Sequence, residues 1–198
     1  MLKFVDGDLL KSDCTVVAHQ ANCFSTMGAG IARQIKQQFP EAYVADVEYI
    51  YKKVDRLGRF SFSPCIGNSE YPRKTVFNLY GQFDMGGAVA TNYNALRTAL
   101  EGMLDYIVKY HTDSLDTIKI GVPYKIGCGI AGGNWAIVEK MLDYVSELYG
   151  IPIYVYKFDE PRPVWSGLKT VIYQGKEYLQ RPGDPMGPGD PMDREASV

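Results

Sequence analysis

Met27-Gly28-Ala29-Gly30-Ile31-Ala32 and Gly127-Cys128-Gly129-Ile130-Ala131-Gly132-Gly133 are two glycine-rich segments, each lying between a β-like run and a helix-like one. Glycine lets a backbone approach a ligand closely, and a helix N-terminus offers unpaired N–H groups to an anion. If both segments converge at the carboxyl edge of one sheet, they suit a diphosphate. The alternative is that both are tight strand-to-helix turns without a ligand, because short motifs often match by chance.

The apolar runs around these segments alternate between strand and helix patterns. Strands are predicted over residues 2–5, 15–18, 60–62, 75–80, 118–122 and 153–156. Helices are predicted over residues 29–39, from Pro40 to about residue 50, after an N-cap at Thr91, and after an N-cap at Asn134 with Ile137, Met141, Val145 and Leu148 facing inward. This alternation predicts a three-layer α/β/α sandwich around a mixed, mostly parallel sheet.

The pattern of the chain changes near Phe158, where the core domain, residues 1–158, is predicted to end. Residues 159–181 are predicted to be a C-terminal extension with a small hairpin around Gln174-Gly175-Lys176. Pro182-Gly183-Asp184-Pro185-Met186 recurs as Pro188-Gly189-Asp190-Pro191-Met192. A Pro/Gly repeat of this kind buries no core, so residues 182–198 are predicted to be disordered.

The composition of the 198 residues narrows the class of protein. The 21 basic and 23 acidic residues form no block of like charge, which argues against general nucleic-acid binding. The sequence has neither an apolar stretch of membrane-spanning length nor a signal-peptide layout, so a soluble, cytoplasmic protein is expected. The four cysteines and two histidines lack zinc spacing, so reduced thiols, no metal and no cofactor are expected.

Several motifs, taken in order, carry a family resemblance over about residues 1–158. Gly7-Asp8-Leu9, Ala21-Asn22 and the two glycine-rich segments resemble the macro domain family. Residues 78–82 and 123–129 are most similar to its branch of ADP-ribose 1″-phosphate phosphatases and related ADP-ribosyl hydrolases. The resemblance implies a pocket for ADP-ribose or ADP-ribose 1″-phosphate at the sheet's carboxyl edge, and hydrolysis of the latter to ADP-ribose and phosphate.

The same resemblance assigns ligand contacts residue by residue. Asp8 would accept a hydrogen bond from the adenine amino group, the Leu9 backbone would lie beside the base, and Asn22 would contact the distal ribose. The diphosphate and distal ribose would be wrapped by Gly28, Ala29, Gly30, Ile31, Gly127, Cys128, Gly129, Ile130 and Ala131. Gln82 is a further polar candidate, as is Asn78, and Trp135 would wall the pocket. The alternatives are a solvated cap for Asp8, an Asn22 that bonds its own loop, and plain packing for Trp135.

His19 is the candidate general acid/base. It is predicted at the end of the second strand, three residues before Asn22, where it would assist attack of water on the terminal phosphate. Asn22 is the second catalytic candidate. A lone histidine beside an apolar run is more often a hydrogen-bonded core residue, so both interpretations remain open.

Two departures from the family pattern limit the reaction. Glycohydrolases of the related branch that remove ADP-ribose from glutamate use a lysine after the central strand and an aspartate after the second glycine loop. Here those places hold Gly81-Gln82 and Ala131, so a lysine adduct is not expected. The alternatives are therefore a non-catalytic reader of free or protein-linked ADP-ribose, an ADP-ribosyl glycohydrolase, or a plain nucleotide-binding α/β protein. The oligomeric state is left open.

Overall fold

The computed structural model describes residues 1–84, 89–110 and 117–158, and the backbone of residues 169–173 and 176–180. The strands of the first unit are β1 (Leu2–Asp6), β2 (Val16–Asn22), β3 (Phe60–Cys65), β4 (Lys74–Gln82), β5 (Ile120–Pro123) and β6 (Ile153–Lys157). Its helices are α1 (Gly30–Gln38), α2 (Pro40–Val47), α3 (Tyr93–Tyr110) and α4 (Trp135–Tyr149), with short 3₁₀ turns at Leu9–Lys11 and Lys53–Asp55.

The six strands form one sheet in the order β1-β6-β5-β2-β4-β3. Every neighbouring pair is parallel except β3 and β4, which are antiparallel. The predicted mixed, mostly parallel sheet is therefore confirmed. Because the parallel strands share one direction, the loops that follow β2, β4 and β5 all emerge at the same edge of the sheet.

Helices cover both faces of this sheet. On one face, Leu100 of α3 and Leu142 of α4 lie in a buried cluster with Ala18 of β2. On the other face, Ile35 of α1 belongs to a second cluster that includes Val17 of β2. Alternate residues of β2 thus contribute to opposite layers, as the pleat of a strand requires. The three-layer α/β/α sandwich is confirmed.

The N-cap predicted at Thr91 is wrong by one residue. Helix α3 begins at Tyr93, and Asn92 Oδ1 accepts a hydrogen bond from the Ala95 N–H at 3.0 Å. Thr91 instead forms an isolated β-bridge with Gln82 at the end of β4. Both Thr and Asn are good N-caps, and the pairing of Thr91 with the sheet selects Asn92.

The predicted cap of α4 is confirmed, because Asn134 Oδ1 accepts from the Ala136 N–H at 2.9 Å. Gly150 ends the helix in the left-handed conformation, as predicted. The inward face is partly wrong. Ile137 and Leu148 are 46% and 59% exposed, whereas Val138, Leu142 and Val145 are buried. Two neighbouring apolar stripes run along α4, and packing against α3 and the sheet selects the second.

The chain divides into two compact units, Met1–Phe158 and Asp159–Val198. In the second unit, β7 (Lys169–Tyr173) pairs antiparallel with β8 (Lys176–Gln180). Residues 174–175, within the predicted hairpin, and the tail predicted to be disordered, residues 182–198, lie outside the described residues. Within the described part of the chain, every helix is too short or too polar to cross a lipid bilayer. The cytoplasmic location stays a prediction.

Candidate functional site

A cleft of about 380 Å³ lies at the carboxyl edge of the sheet, between the two glycine-rich loops. Of the residues predicted from sequence, it brings together His19, Asn22, Gly28, Ala29, Gly30, Ile31, Gln82, Gly127, Gly129, Ile130 and Ala131. Asp8, Leu9, Cys128 and Trp135 are outside its lining. The convergence of the two loops follows from the parallel order of β5, β2 and β4, because adjacent parallel strands end side by side.

The first loop, residues 23–29, is folded around the side chain of Asn22. Its Oδ1 accepts from the backbone N–H groups of Phe24 at 3.0 Å and Thr26 at 3.2 Å, and its Nδ2 donates to the Thr26 carbonyl at 3.2 Å. Asn22 therefore fits the alternative interpretation of an asparagine that bonds its own loop. One amide hydrogen of Asn22 is not used in these bonds.

The end of this loop leaves backbone groups open to the cleft. Helix α1 begins at Gly30, and its N-cap residue, Ala29, makes no side-chain capping bond. The first N–H groups of such a helix lack partners within the helix. A Cβ added at Gly28 would meet nothing nearer than Thr26 Cγ2 at 4.0 Å, so the packing of the protein does not require glycine there. This arrangement suits an anion at the start of α1.

The second loop, residues 124–133, is held from behind by the segment that precedes α3. The Gly127 carbonyl accepts from Gly133 N–H at 3.0 Å and from the Thr91 hydroxyl at 2.5 Å. The Ala131 carbonyl accepts from the N–H groups of Ala90 at 2.9 Å and Thr91 at 3.1 Å. The loop is thus fixed on the side away from the cleft.

Gln20 is a residue of the site that sequence reasoning missed. Its Nε2 donates to Gln82 Oε1 at 2.9 Å and to Thr91 Oγ1 at 3.0 Å. Gly127 has a φ of 71°, which favours glycine, and a Cβ there would lie 2.5 Å from Gln20 Oε1, so a side chain at this position would also displace the Gln20 amide. Gln82 Nε2 donates to the Asp84 carbonyl at 2.7 Å. Both polar atoms of Gln82 are therefore engaged within the protein. The signal for Gln20 was a polar residue inside an apolar strand.

Leu9 begins the first 3₁₀ turn, and Asp8 precedes it as the N-cap. Asp8 Oδ1 accepts from the Leu10 N–H at 2.8 Å and so caps this turn, and Leu9 is buried in the core beneath α1. This agrees with the alternative of a cap for Asp8. Contacts of Asp8 and Leu9 with adenine stay a prediction.

Trp135 and Cys128 lie behind the cleft wall rather than in it. The ring centroid of Trp135 is 4.9 Å from that of Tyr124, which does line the cleft. The Cys128 thiol donates to the Ile126 carbonyl at 3.3 Å, and burial raises its pKa. Both side chains therefore support the wall by packing.

His19 lies inside β2 rather than at its end, so its predicted position is wrong. It is fully buried, and its Nε2 is 2.7 Å from Asn78 Oδ1. Asn78 Nδ2 donates to the Ala42 carbonyl at 2.9 Å and to Ser61 Oγ at 3.0 Å, so Asn78 Oδ1 is an acceptor. This hydrogen-bond pattern assigns the imidazole proton to Nε2. His19 Nδ1 then carries a lone pair with no partner in the described protein.

The charge state of His19 follows from its burial. Burial lowers the pKa of His19 below its ordinary value of 6.5, and its hydrogen bonds to the Asn78 side chain and to the backbone of Gln20 oppose this only in part. The imidazole is therefore neutral at neutral pH. Because His19 also borders the cleft, this neutral, fully buried imidazole lies directly beneath the cleft floor. Asn78, the other polar candidate, is fully buried inside β4.

We expect the stability of the protein to fall as the pH is lowered from about 6.5 toward the lowered pKa of His19. In this window the unfolded chain binds a proton at His19 and the folded protein does not, so the free energy of unfolding decreases as the pH is lowered. Urea unfolding between pH 8 and pH 5 measures this. The His19→Gln variant is expected to show a shallower slope, and identical slopes would contradict the assignment. The raised pKa of Asp46 changes the stability with pH in the opposite direction, and this contribution is present in both proteins. The difference between the two slopes therefore reports His19.

Asp46 is a second missed residue of the cleft lining. It is 1% exposed, and its Oδ1 accepts from the Tyr80 hydroxyl at 2.8 Å and from Ser25 Oγ at 3.1 Å. Its Oδ2 has no partner in the described protein. Burial raises the pKa of Asp46, against the opposing effects of these hydrogen bonds and of Arg56. The signal in the sequence was a carboxylate four residues after Ala42, on the buried face of α2.

Lys125 adds a positive charge to the cleft lining. Its backbone adopts the left-handed conformation, with a φ of 57°, and its ammonium lies 5.4 Å from the centroid of the Tyr124 ring. An exposed ammonium beside open N–H groups favours a negatively charged ligand.

The family of the chain follows from comparison with known proteins. A family model for the macro domain matches residues 18–142, a range that contains both glycine loops, most of β2 and all of β5. The chain belongs to the macro domain family. The matched part of this macro domain includes the whole lining of the cleft.

Three individual proteins show the range of its relatives. A DNA ADP-ribosyl glycohydrolase of Mycobacterium tuberculosis is 40% identical over 146 residues, which are 72% of this chain and 38% of that protein. An ADP-ribose 1″-phosphate phosphatase of Debaryomyces hansenii is 27% identical over 180 residues, covering 78% of this chain and 99% of that protein. The solved structure of Thermosipho africanus DarTG in complex with ADP-ribose matches with a TM-score of 0.60 and 21% identity, over 78% of this chain and 41% of that one. The chain thus spans about two fifths of the glycohydrolase and of DarTG.

Proposed function

We propose that the cleft of this macro domain binds ADP-ribose, with the diphosphate between the two glycine loops. The observation that carries the proposal is that both loops line one cleft, whose volume of about 380 Å³ lies in the range of small-molecule sites. The DarTG relative, whose structure is described as a complex with ADP-ribose, supports the same ligand.

The open backbone at both loops is the physical basis of this binding. A Cβ added at Gly129 would meet no atom within 4 Å, so the side of this residue that a side chain would fill is free. The opposite loop offers the uncapped start of α1 at Ala29 and Gly30. Backbone N–H groups on two sides hold a diphosphate without requiring cationic side chains. Lys125, in the lining of the cleft, adds a positive charge that attracts the same anion.

ADP-ribose is expected to bind at least about tenfold more tightly than AMP. AMP lacks the second phosphate and the distal ribose, so it cannot contact both loops at once, and tenfold in affinity corresponds to about 1.4 kcal/mol. Isothermal titration calorimetry with the two ligands measures the ratio. Equal affinity for ADP-ribose and AMP would overturn the two-loop site.

Hydrolysis of ADP-ribose 1″-phosphate is the reaction that the floor of the cleft favours. The observation behind it is the neutral His19, whose Nδ1 has no partner in the described protein. The proposed step requires a water in the cleft to reach His19 Nδ1, which is buried in the ligand-free protein. That water attacks the terminal phosphorus and gives a proton to Nδ1, the P–O bond to the ribose breaks, and the ribose oxygen takes the proton. N–H groups of the second loop stabilise the developing charge. The phosphatase relative from Debaryomyces hansenii supports this substrate.

Two other functions, an ADP-ribosyl glycohydrolase and a non-catalytic reader, are distinguished from the phosphatase by assays of product release and of binding. The glycohydrolase relative favours removal of ADP-ribose from DNA. The lysine and aspartate of glycohydrolases that act on glutamate are replaced here by Gly81-Gln82 and Ala131, so a lysine adduct is not part of the proposal. The internal hydrogen bonds of Asn22 and Gln82 favour a non-catalytic reader. Phosphate release from ADP-ribose 1″-phosphate and ADP-ribose release from ADP-ribosylated DNA distinguish the two enzymes, and binding without either release identifies a reader.

A further inference from the structure

Ser25 has an unusual backbone conformation in the middle of the first loop. Its φ is 58°, in the left-handed region that non-glycine residues rarely adopt. It stands directly before Thr26, whose N–H and carbonyl are both bonded to Asn22. A conformation of this kind persists only where the surroundings hold it, and such positions cluster at ligand-binding segments.

The surroundings that hold Ser25 are two buried, charged side chains. Ser25 Oγ is 3.1 Å from both the carbonyl and Oδ1 of Asp46, to which it donates. The same oxygen accepts from Arg56 Nη1 at 2.8 Å. A serine hydroxyl has one hydrogen to donate and lone pairs to accept, so these contacts use it in both directions. We call Ser25, Asp46 and Arg56 the loop brace.

Arg56 is itself anchored on several sides. It is 5% exposed, and it donates to the carbonyls of Tyr51 at 3.0 Å, Tyr49 at 3.2 Å and Asp46 at 2.9 Å. Its guanidinium carbon lies 5.6 Å from the centroid of the Tyr80 ring. Arg56 Nη1 is 3.6 Å from Asp46 Oδ1. The guanidinium therefore has a single orientation, and the position of the Ser25 hydroxyl is set by it.

A buried ion pair is a poor source of stability, because the desolvation of two charges offsets most of their attraction. Arg56 donates to the carbonyl of Asp46 within α2 and to the carbonyls of Tyr49 and Tyr51 after it. The Asp46–Arg56 pair also bonds one hydroxyl of the first loop, that of Ser25, and Asp46 accepts from the Tyr80 hydroxyl. Asp46 also lines the cleft. The brace thus joins the sheet-covering helix α2 to the loop that leads to Gly28.

We propose that Asp46 and Arg56, acting through Ser25, are positioning residues that hold the first loop in its ligand-binding conformation before the ligand arrives. The inference rests on the proposed function, because the ligand in question is the diphosphate of ADP-ribose. A loop that is ordered in the free protein loses less conformational freedom on binding, so its ligand binds more tightly.

The test uses Ser25→Gly and Ser25→Ala in the full chain, with Ser63→Ala as the matched control. Ser63 is a serine of β3 whose hydroxyl bonds the neighbouring Pro64 carbonyl. Both Ser25 variants lose the hydroxyl, but glycine adopts a positive φ without strain and alanine does not. Ser25→Gly is therefore expected to melt at a higher temperature than Ser25→Ala, and still to bind ADP-ribose at least about tenfold more weakly than the wild type. Ser63→Ala is expected to leave affinity unchanged.

A purely structural role gives the opposite pattern. The folded Ser25→Gly variant would then bind ADP-ribose as the wild type does, and this result would overturn the proposal. A double-mutant cycle with Arg56→Lys tests the route through Arg56. Lysine keeps the charge but lacks the planar set of N–H donors. Strictly additive losses in the double variant would contradict action through Ser25.

Hydrogen exchange in the ligand-free protein separates this proposal from the proposed function. The Phe24 and Thr26 amides are bonded to Asn22 Oδ1, and loss of the brace is expected to speed their exchange in Ser25→Gly. If the wild type binds no ADP-ribose, the proposed function fails, and the exchange rates still test the brace. Unchanged exchange of both amides would overturn it.

Discussion

We expect Gly129→Val to weaken ADP-ribose binding by more than about 100-fold, or about 2.7 kcal/mol, while the protein keeps its fold. A Cβ at Gly129 meets no protein atom within 4 Å, and Gly129 is not among the glycines with positive φ, so valine fits the free protein. The same side chain fills the space through which the ligand approaches the loop backbone. Calorimetric titration and the melting temperature, measured on one sample, test both parts of this expectation.

Two further variants serve as controls for Gly129→Val. Lys140→Val adds a valine on the exposed surface of α4 and is expected to change neither affinity nor stability appreciably. Gly133→Val is expected to destabilise the fold, because its Cβ would lie 2.5 Å from the Gly127 carbonyl oxygen. If Gly129→Val unfolds like Gly133→Val, the glycine is there for packing and the loop is a plain turn. If it folds and binds normally, the ligand does not contact this loop.

We expect His19→Ala and His19→Gln to reduce phosphate release from ADP-ribose 1″-phosphate by about 100-fold or more, the usual scale for a general acid/base. The loss is expected in kcat, with little change in the affinity for ADP-ribose. Because burial lowers the pKa of His19, the wild-type rate is expected to fall only at pH values below 6.5, as the imidazole becomes protonated. Steady-state kinetics across pH measure both effects.

Stability must be measured beside these rates. His19→Ala leaves Asn78 Oδ1 without its partner in a buried position, which costs about 1–3 kcal/mol. Ser61→Ala disturbs the same buried hydrogen bonds at Asn78 without removing the imidazole, so it is expected to lose stability and keep its kcat. Full turnover in folded His19→Gln would make His19 a structural residue. A wild type without turnover on this substrate would leave ADP-ribose binding alone as the function.

The order of motifs along the chain was sufficient to predict the fold and the edge of the sheet at which the cleft lies. Each glycine segment follows an apolar run and precedes a helical pattern, and parallel strands end at a common edge. Local rules also predicted the cap at Asn134 and the end of α4 at Gly150, because both depend on neighbours within a few residues. These features are properties of short stretches of sequence, so the sequence by itself determined them.

Contacts between distant segments were decided only by the tertiary structure. Ser25, Asp46 and Arg56 meet because α2 packs beside the first loop, and Gln20 reaches Gly127 across more than 100 residues of chain. Burial in the folded protein lowers the pKa of His19. The hydrogen bond to Asn78, in the neighbouring strand β4, sets the imidazole proton on Nε2. Polar side chains such as these satisfy their hydrogen bonds wherever the fold brings a partner, and no spacing in the sequence records that partner.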